Sequence, residues 1–311
     1  MSKRLPLLLL VALLATPARA YFEESAVGAR GLAMGFGSIA SVSDVSAHYW
    51  NAAALTRLAQ GEASVDYAKP YGLADLNVGA VALAMPIGSF GVGAGWHHLG
   101  ITGGYAEDLF SVSVGHRLPT PARLGRGHVL SGGLTAKLGR IGFTPFTDPT
   151  TPTATVDYGS QTHPSLDASL LWETPWRVDV AWVGRDLMEP RYQFIPGTGG
   201  QRLTARHELA AAVRWNREST ISIGWSQLSG GQTSLSAGIE ITFFNVFAIR
   251  SSISNLSRIV DTQGSPNELD FNGGFGVFHH GYHVDATATT DHDLGASYRI
   301  TLRAPLPGTA R

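Results

Sequence analysis

The chain has 311 residues with 37 glycines, no cysteine and only 15% charged residues, against roughly 25% in ordinary soluble domains. A net charge of −1 excludes the strong field that nucleic acid or an anionic membrane surface would need, and abundant aromatic residues exclude disorder. Beyond the N-terminus no stretch approaches the ~20 apolar residues of a spanning helix. The composition therefore favours a β-rich protein in an unusual solvent.

The first twenty residues have the features of a secretory signal peptide. Lys3 and Arg4 supply positive charge, an apolar run follows over 5–15, and residues 18–20 read Ala-Arg-Ala, a small-x-small cleavage pattern. The apolar run is too short to span a membrane as an anchor. We expect residues 1–20 to be removed and the rest to be exported, folding without disulfides.

From residue 61 to residue 303, apolar residues alternate with small or polar ones. A strand places such sets on opposite faces, whereas a helix would scatter them. The alternation predicts about fourteen strands, most about ten to twelve residues long, as a tilted strand needs to cross a bilayer. The predicted strands are 61–69, 75–86, 88–97, 107–117, 127–138, 164–173, 176–185, 205–215, 219–227, 232–243, 246–254, 268–278, 281–288 and 292–303.

The connections between these strands differ in length on the two sides of the sheet. The long ones follow odd-numbered strands and cover 98–106, 139–163, 186–204 and 255–267. Most connections after even-numbered strands are tight turns. Long outer loops with short periplasmic turns are typical of bacterial outer-membrane barrels.

Aromatic residues fall near both ends of the predicted strands. Such rings anchor at headgroup level in membrane barrels, although they could also fill the core of a soluble sandwich. The opposite strand faces carry glycine, serine, threonine and scattered charge, too little charge for a solvated exterior. The periplasmic group is Trp172, Trp176, Trp215, Phe243, Phe244 and Phe247, and the outer group is Trp96, Trp182 and Trp225.

These patterns predict an all-β fold, a transmembrane antiparallel β-barrel of about fourteen strands that sits as a monomer in outer-membrane lipid. Its last strand carries Gly295, Tyr298 and Ile300 in an order that resembles the C-terminal signal read by the barrel assembly machinery. The chain does not stop at a terminal aromatic residue. Residues 304–311 continue as a Pro-containing tail, which we expect to be flexible.

Charged residues on the inward face of the predicted strands include both signs. They predict ion pairs that seal a polar lumen; a selective aqueous pore is the alternative. The set is Asp167, Arg177, Asp179, Glu208, Arg214, Glu240, Asp285 and Arg299.

No motif predicts a catalytic site, a metal site or a cofactor, and we expect a protein that is not an enzyme. His163-Pro164-Ser165 is similar to the His-x-Ser arrangement of outer-membrane phospholipases, but the proline and the absence of an orienting partner favour a turn at the start of a strand. His97-His98 and His279-His280 place neighbouring side chains on opposite faces, whereas metal ligands must converge.

Residues 21–60 do not alternate and carry a recognisable motif. Its residues are Gly28, Arg30, Gly31, Met34, Gly35, Asp44, Trp50, Asn51 and Leu55. This order resembles the N-terminus of PorV/PorQ-type proteins and, more distantly, of FadL-type transporters, in which it precedes a fourteen-stranded outer-membrane barrel. Phe36, Ala52 and Ala54 depart from the family pattern, which has Gly, Pro and Gly at these places.

The resemblance implies that residues 21–60 enter the lumen as a plug or hatch and that 61–303 form the barrel. It implies two alternative functions: passage of hydrophobic small molecules through the hatch or a lateral gap, or a secretion-associated barrel that binds protein partners. The short mature chain favours the PorV/PorQ branch. An outer-membrane hydrolase is a third, more distant alternative.

Overall fold

The computed structural model describes most of the chain. The expected signal peptide and most of the 255–267 connection lie outside the described residues, as do the last two residues of the tail. The described residues are 22, 27–147, 155–195, 197, 199–216, 218–229, 233–256, 269–291 and 295–309.

Fourteen antiparallel strands close into one barrel, which confirms the predicted fold class. Two short hairpins, β6–β7 and β10–β11, stand outside it. The strands are β1 (Glu62–Lys69), β2 (Leu76–Ile87), β3 (Phe90–Ile101), β4 (Tyr105–Leu118), β5 (Val129–Phe143), β6 (Phe146–Thr147), β7 (Thr155–Val156), β8 (Ser160–Glu173), β9 (Val178–Arg185), β10 (Arg191–Tyr192), β11 (Gln201–Arg202), β12 (Arg206–Arg214), β13 (Ser219–Leu228), β14 (Thr233–Phe243), β15 (Phe247–Ser254), β16 (Asp270–His279), β17 (Tyr282–Asp291) and β18 (Gly295–Pro305).

The alternation in the sequence becomes two faces of one wall. On β14, Ser236 and Glu240 are buried and point inward, whereas Ile239 on the other face is exposed. Leu134 and Ile223 are also half exposed on the outside, like most outward apolar residues. A belt of this kind is costly in water and favourable against hydrocarbon, which is the solvent that the low charge content indicated.

Residues 27–60, called the N-terminal segment from here on, form short helical turns. No described helix is long and apolar enough to cross a membrane. The turns are α1 (Ala29–Ala33), α2 (Ser38–Ser41) and α3 (Ala47–Trp50), with 3-10 turns at Gly35–Gly37 and Ala52–Arg57. Two further 3-10 turns, Pro70–Gly72 and Ala122–Leu124, lie between barrel strands.

Two details of the strands differ from the sequence prediction. The expected long connection at 98–106 is short, because pairing continues to Ile101 opposite Tyr105. Pro164 lies inside β8, opposite Leu138, and not in a turn at its start. Alternation is weak at these outer strand ends because both faces leave the lipid there, so pairing extends beyond the region in which side-chain chemistry alternates.

Closure joins the two ends of the barrel. β1 pairs with β18, and beyond that ladder Leu306 N donates to Gly61 O over 2.7 Å. Gly61 N in turn donates to Thr309 Oγ1 over 2.8 Å. Within the tail that the sequence predicted to be flexible, Leu306 and Thr309 are therefore hydrogen-bonded to the start of the barrel.

Candidate functional site: the lumen and its N-terminal segment

The N-terminal segment contacts the inner wall on all sides. Helix α1 lies against β15–β18, α2 against β9, β12 and β13, and the 3-10 turn at 52–57 against β2–β5 and β8. Most apolar side chains of the segment are fully buried, including Ile39 and Leu55. A buried segment that touches opposite sides of a closed barrel occupies its lumen.

Glycines of the wall allow the segment to approach at backbone distance. A Cβ atom on Gly133 would lie 2.2 Å from the backbone N of Ala53, and one on Gly115 would lie 2.3 Å from Ala52 O. On the opposite wall, a Cβ atom on Gly238 would lie 2.4 Å from Met34 O. Part of the high glycine content thus serves contact between the wall and the segment.

Arg30 fastens the first helix to the wall. Its Nε donates to Glu240 Oε2 over 2.8 Å and its Nη2 to Oε1 over 2.9 Å, while Nη1 donates to Asp44 Oδ2 over 3.2 Å. Arg303 of β18 also lies 3.1 Å from Asp44. Burial by itself would raise the pKa of Asp44, but Arg303 and Arg30 lower it well below its usual value, so the carboxylate stays ionised.

Arg57 fastens the other end of the segment. Its Nη1 donates to the carbonyl oxygens of Ala40 at 2.8 Å and Val42 at 3.0 Å, which closes the end of α2. Nε binds Glu173 over 3.1 Å and Nη2 binds Asp179 over 2.7 Å. One guanidinium therefore joins two turns of the segment to the wall at β8 and β9.

A third arginine comes from the wall. Arg185 Nη1 donates to Tyr49 O over 2.8 Å and Nη2 to Trp50 O over 3.0 Å, at the end of α3. Its Nε donates to Glu208 Oε2 over 3.0 Å. Cations favour helix C-termini, where carbonyl groups lack partners.

Several residues of the N-terminal motif shape the segment itself. Trp50 Nε1 donates to Val27 O over 2.7 Å, and a Cβ atom on Gly31 would lie 2.2 Å from that indole nitrogen. Asn51 Nδ2 donates to Ile39 O over 2.7 Å. Gly28 and Gly35 have positive φ angles of 92° and 64°, which glycine adopts without strain.

The remaining motif residues are buried as well. Met34 is 1% exposed and Leu55 is 0% exposed, so both pack inside the lumen. The motif therefore builds the contacts of the segment with itself and with the wall.

The charged residues that the sequence placed in the lumen take different positions. Asp167, Asp179, Glu208, Glu240, Asp285 and Arg299 are buried on the inner face. Arg214 is partly exposed at the end of β12 and contacts Asp179 over 3.1 Å. Arg177 differs from the prediction: it is exposed in the turn between β8 and β9, with a φ angle of 63°.

The sequence prediction did not include several charged residues that form ion pairs in the lumen. Their strand positions have the inward parity, which would have identified them, but only the fold reveals the partners. Missed wall residues are Asp66, paired with Arg299; Lys137, paired with Asp167 and Asp186; Arg250, paired with Glu240 and Asp285; and Arg303, paired with Asp44 and Asp285. The prediction also did not include Arg57 of the N-terminal segment or Arg185 of β9, which bonds to that segment.

Two histidines of the lumen, His48 and His163, are held by neighbouring side chains. His48 of the segment is bonded on both sides, Nε2 to Ser111 Oγ and Nδ1 to Ser113 Oγ, each over 2.8 Å. Burial lowers the pKa of His48 to about 4. His163 and Ser165 share the inner face of β8, but the His163 ring packs against Tyr192 at 4.8 Å. Among the described residues, no group of three or more His, Asp or Glu side chains could hold a metal ion.

One cavity of about 340 Å³ remains open in the lumen. The segment contributes Phe36, Tyr49 and Trp50 to its lining. Arg185 and Ser254 line it too, and both stand at strand ends that lead into long connections. The cavity therefore lies between the segment and the end of the barrel that carries the long connections.

Comparison with known proteins gives the fold. No protein-family model and no curated protein sequence matches the chain. A solved structure of a "CymD monoaromatic hydrocarbon channel" superposes with a TM-score of 0.61 at 11% identity, covering 91% of this chain and 97% of that one. A Pseudomonas aeruginosa FadL homologue superposes with a TM-score of 0.56 at 11% identity, covering 86% and 95%. The chain thus shares its closed antiparallel barrel fold with these two proteins over most of its length.

Proposed function

We propose that this barrel is an outer-membrane channel for small, mainly apolar molecules and that its N-terminal segment acts as the plug. The observation that carries the proposal is the cavity of about 340 Å³ bounded by Phe36, Tyr49 and Trp50 of the segment. A site of this size, at the low end of the range for small-molecule pockets, suits a ligand of about one ring. The channel performs no enzymatic chemistry in this proposal.

The structural neighbours support a channel in preference to a partner-binding barrel. One of them is named a monoaromatic hydrocarbon channel, which matches the aromatic residues around the cavity. The PorV/PorQ-type secretion role remains a prediction from the N-terminal motif. No contact of the described residues favours it, so we retain it only as the alternative.

A lateral route fits the position of Tyr49. This residue lines the lumenal cavity, and its hydroxyl donates to Val81 O over 2.8 Å and to Trp96 O over 3.1 Å, on paired positions of β2 and β3. Val81 and Trp96 also line an apolar concavity of about 760 Å³ on the lipid-facing wall. Tyr49 therefore lies against the inside of the wall that carries this concavity. The ladder between β2 and β3 is continuous from Leu76 opposite Ile101 to Ile87 opposite Phe90, so a lateral route requires these strands to separate as well as Tyr49 to move.

Uptake by the complete barrel in asymmetric vesicles with a lipopolysaccharide outer leaflet tests the proposal, since such a leaflet resists apolar solutes that dissolve freely in a phospholipid bilayer. Radiolabelled toluene should enter vesicles that contain the protein several-fold faster than empty vesicles of the same composition. The variant Arg57→Gln, which loosens the segment, should raise the rate, while Arg177→Gln in an exposed turn should leave it unchanged. Uptake equal to that of empty vesicles for the unchanged protein and for Arg57→Gln would contradict the channel function. Recovery of the barrel with a translocon or secreted cargo would favour the alternative.

A further inference from the structure

The cavity lining combines two kinds of side chain. Phe36, Tyr49 and Trp50 of the N-terminal segment and Tyr71 of the turn after β1 are aromatic. Residues of β15 to β18, with Asn255, contribute hydroxyl and amide groups and the carboxylate of Asp270. A site for a simple hydrocarbon would not need these polar groups.

Several of the polar lining residues form one row across neighbouring strands. In the register of the barrel, Ser252 of β15 is opposite Asn272 of β16, Asn272 is opposite Thr289 of β17, and Thr289 is opposite Ser297 of β18. Asn272, Thr289 and Ser297 all line the cavity. Opposed residues on one face of a sheet lie about 5 Å apart, so their polar groups form a continuous edge.

Some hydrogen-bonding capacity in this row is left over. Asn272 Nδ2 donates to Ser252 Oγ over 3.0 Å, and Ser297 Oγ accepts from Tyr71 N over 3.0 Å. Within the described part of the chain, the Thr289 hydroxyl makes no hydrogen bond to the protein. Thr289 and the Asn272 carbonyl oxygen can therefore bind a group that enters the cavity.

The aromatic lining residues offer apolar ring faces to a ligand, because their polar atoms are bonded elsewhere. The Trp50 indole N–H is bonded to Val27 O, and the Tyr49 hydroxyl is bonded to the carbonyls of β2 and β3. Phe36 has no polar atom in its side chain, and it stands where the related N-terminal pattern has glycine. These rings suit a flat apolar body of similar size.

Arg185, Arg206 and Glu208, which line the cavity, belong to a cluster whose charges neutralise one another, while the fourth charged lining residue, Asp270, accepts a hydrogen bond from Asn255. Glu208 accepts a hydrogen bond from Arg185 through its Oε2 atom. Its Oε1 atom lies 3.0 Å from Arg206 Nε; this contact is an ion pair without the alignment of a hydrogen bond. Three further charges lie next to this trio: Lys137 pairs with Asp167 and Asp186. The cluster thus holds three cations and three anions. An anionic ligand would have to break one of these pairs, whereas a neutral ligand leaves them intact.

We propose that the lumenal cavity selects neutral aromatic molecules that carry a hydroxyl or carbonyl substituent, with the ring against Phe36 and Trp50 and the substituent at Asn272 and Thr289. The inference rests on the proposed function and names its substrate class. A hydrocarbon of the same size would leave the polar row dehydrated and unpaired, and a carboxylate would disturb the balanced charges. Sites built to bond a polar substituent discriminate strongly against analogues that lack it.

Calorimetric titration of the complete barrel in detergent with ligands of matched size tests the class. Benzyl alcohol should bind at least about tenfold more tightly than toluene or benzoate. Thr289→Val should weaken benzyl alcohol binding about three- to tenfold, the effect of one neutral hydrogen bond, and leave toluene binding unchanged. Thr287→Val is the matched control, on the same face of β17 but outside the cavity lining.

The ligand series on the unchanged protein decides the outcome even if a variant fails to fold. Toluene or benzoate binding as tightly as benzyl alcohol would overturn the proposal, and so would tighter binding of glucose, a polar ring without an aromatic face. Binding selectivity without vesicle uptake would contradict the channel function alone. Uptake of toluene without selectivity for benzyl alcohol would contradict this inference alone.

Discussion

Arg30 and Glu240 are joined by two parallel hydrogen bonds of 2.8 and 2.9 Å, although 210 residues separate them in the chain. Such bidentate pairs are among the stronger polar contacts in proteins. Arg250 shares the same carboxylate over 2.6 Å and continues to Asp285 over 2.6 Å. The N-terminal segment is thereby bonded into a charge network that belongs to the wall.

Replacing Arg30 by Gln should loosen the segment. The change removes one cation and leaves the buried Glu240 with Arg250 alone, which is expected to cost about 3–5 kcal/mol. Urea unfolding in lipid vesicles measures the loss, and planar-bilayer conductance should rise as the segment detaches. Arg177→Gln, in an exposed turn, serves as the control. Equal stability of the two variants would show that the Arg30 pair does not hold the segment.

The wall glycines offer a matched pair of substitutions. Gly133→Ala should displace the 3-10 turn of the segment, because its Cβ would lie 2.2 Å from the Ala53 nitrogen. Gly273→Ala meets no atom within 4 Å and should be neutral or stabilising by up to about 1 kcal/mol. Heat-modifiable migration on gels reports the order of stability. A Gly133→Ala barrel as heat-resistant as the Gly273→Ala barrel would refute the close approach.

The buried imidazole of His48 predicts a dependence of stability on pH. The pKa of His48 is lowered by burial to about 4 in the folded protein, while the unfolded chain has about 6.5. Between these values the unfolded state binds more protons, so this contribution is complete above pH 6.5 and declines as the pH falls towards 4.

Urea midpoints at pH 7.5 and pH 5 should therefore differ more for the natural protein than for His48→Gln, which keeps polar groups near Ser111 and Ser113. Since other groups titrate in this range, the difference between the two proteins is the quantity to compare. Identical pH dependence in both would indicate that His48 is charged or exposed.

Removing the Tyr49 hydroxyl should loosen the seam between β2 and β3. The hydroxyl donates to carbonyls on both strands, at Val81 and Trp96, so Tyr49→Phe leaves both without this donor. Amide hydrogen exchange should become faster in the middle of these two strands and stay unchanged in β13 and β14. Uniform exchange across the barrel would show that Tyr49 does not close this seam.

Because the chain has no cysteine, single cysteines can test its orientation. We expect Thr147→Cys, in the β6 hairpin, to react with an impermeant maleimide on intact cells. Asn245→Cys, in the tight turn between β14 and β15, should react only after the cells are opened. The reverse labelling pattern would show that the barrel has the opposite orientation, with the cavity at its periplasmic end.

The sequence by itself determined the strand faces and the closed sheet. Side-chain alternation is a local property, so Glu240 and Asp285 could be placed inward from the parity of their own strands. It also predicted a lipid-covered outside, because apolar residues such as Leu134 and Ile223 fall on the face opposite the polar ones. The predicted strand ends were less accurate, as at Ile101 and Tyr105. Polar and apolar side chains stop alternating where the wall leaves the membrane.

Only the tertiary structure decided which residues meet in the lumen. Arg30 binds Glu240, and Arg57 binds Asp179, through a segment whose path across the barrel has no periodic signal in the sequence. The cavity likewise depends on register, which sets Asn272 beside Thr289 and Ser297, and on the path of the segment that brings Phe36 to the same cavity. Alternation records on which side of one strand a residue lies, whereas a site requires the relative position of several strands and of the chain that they enclose.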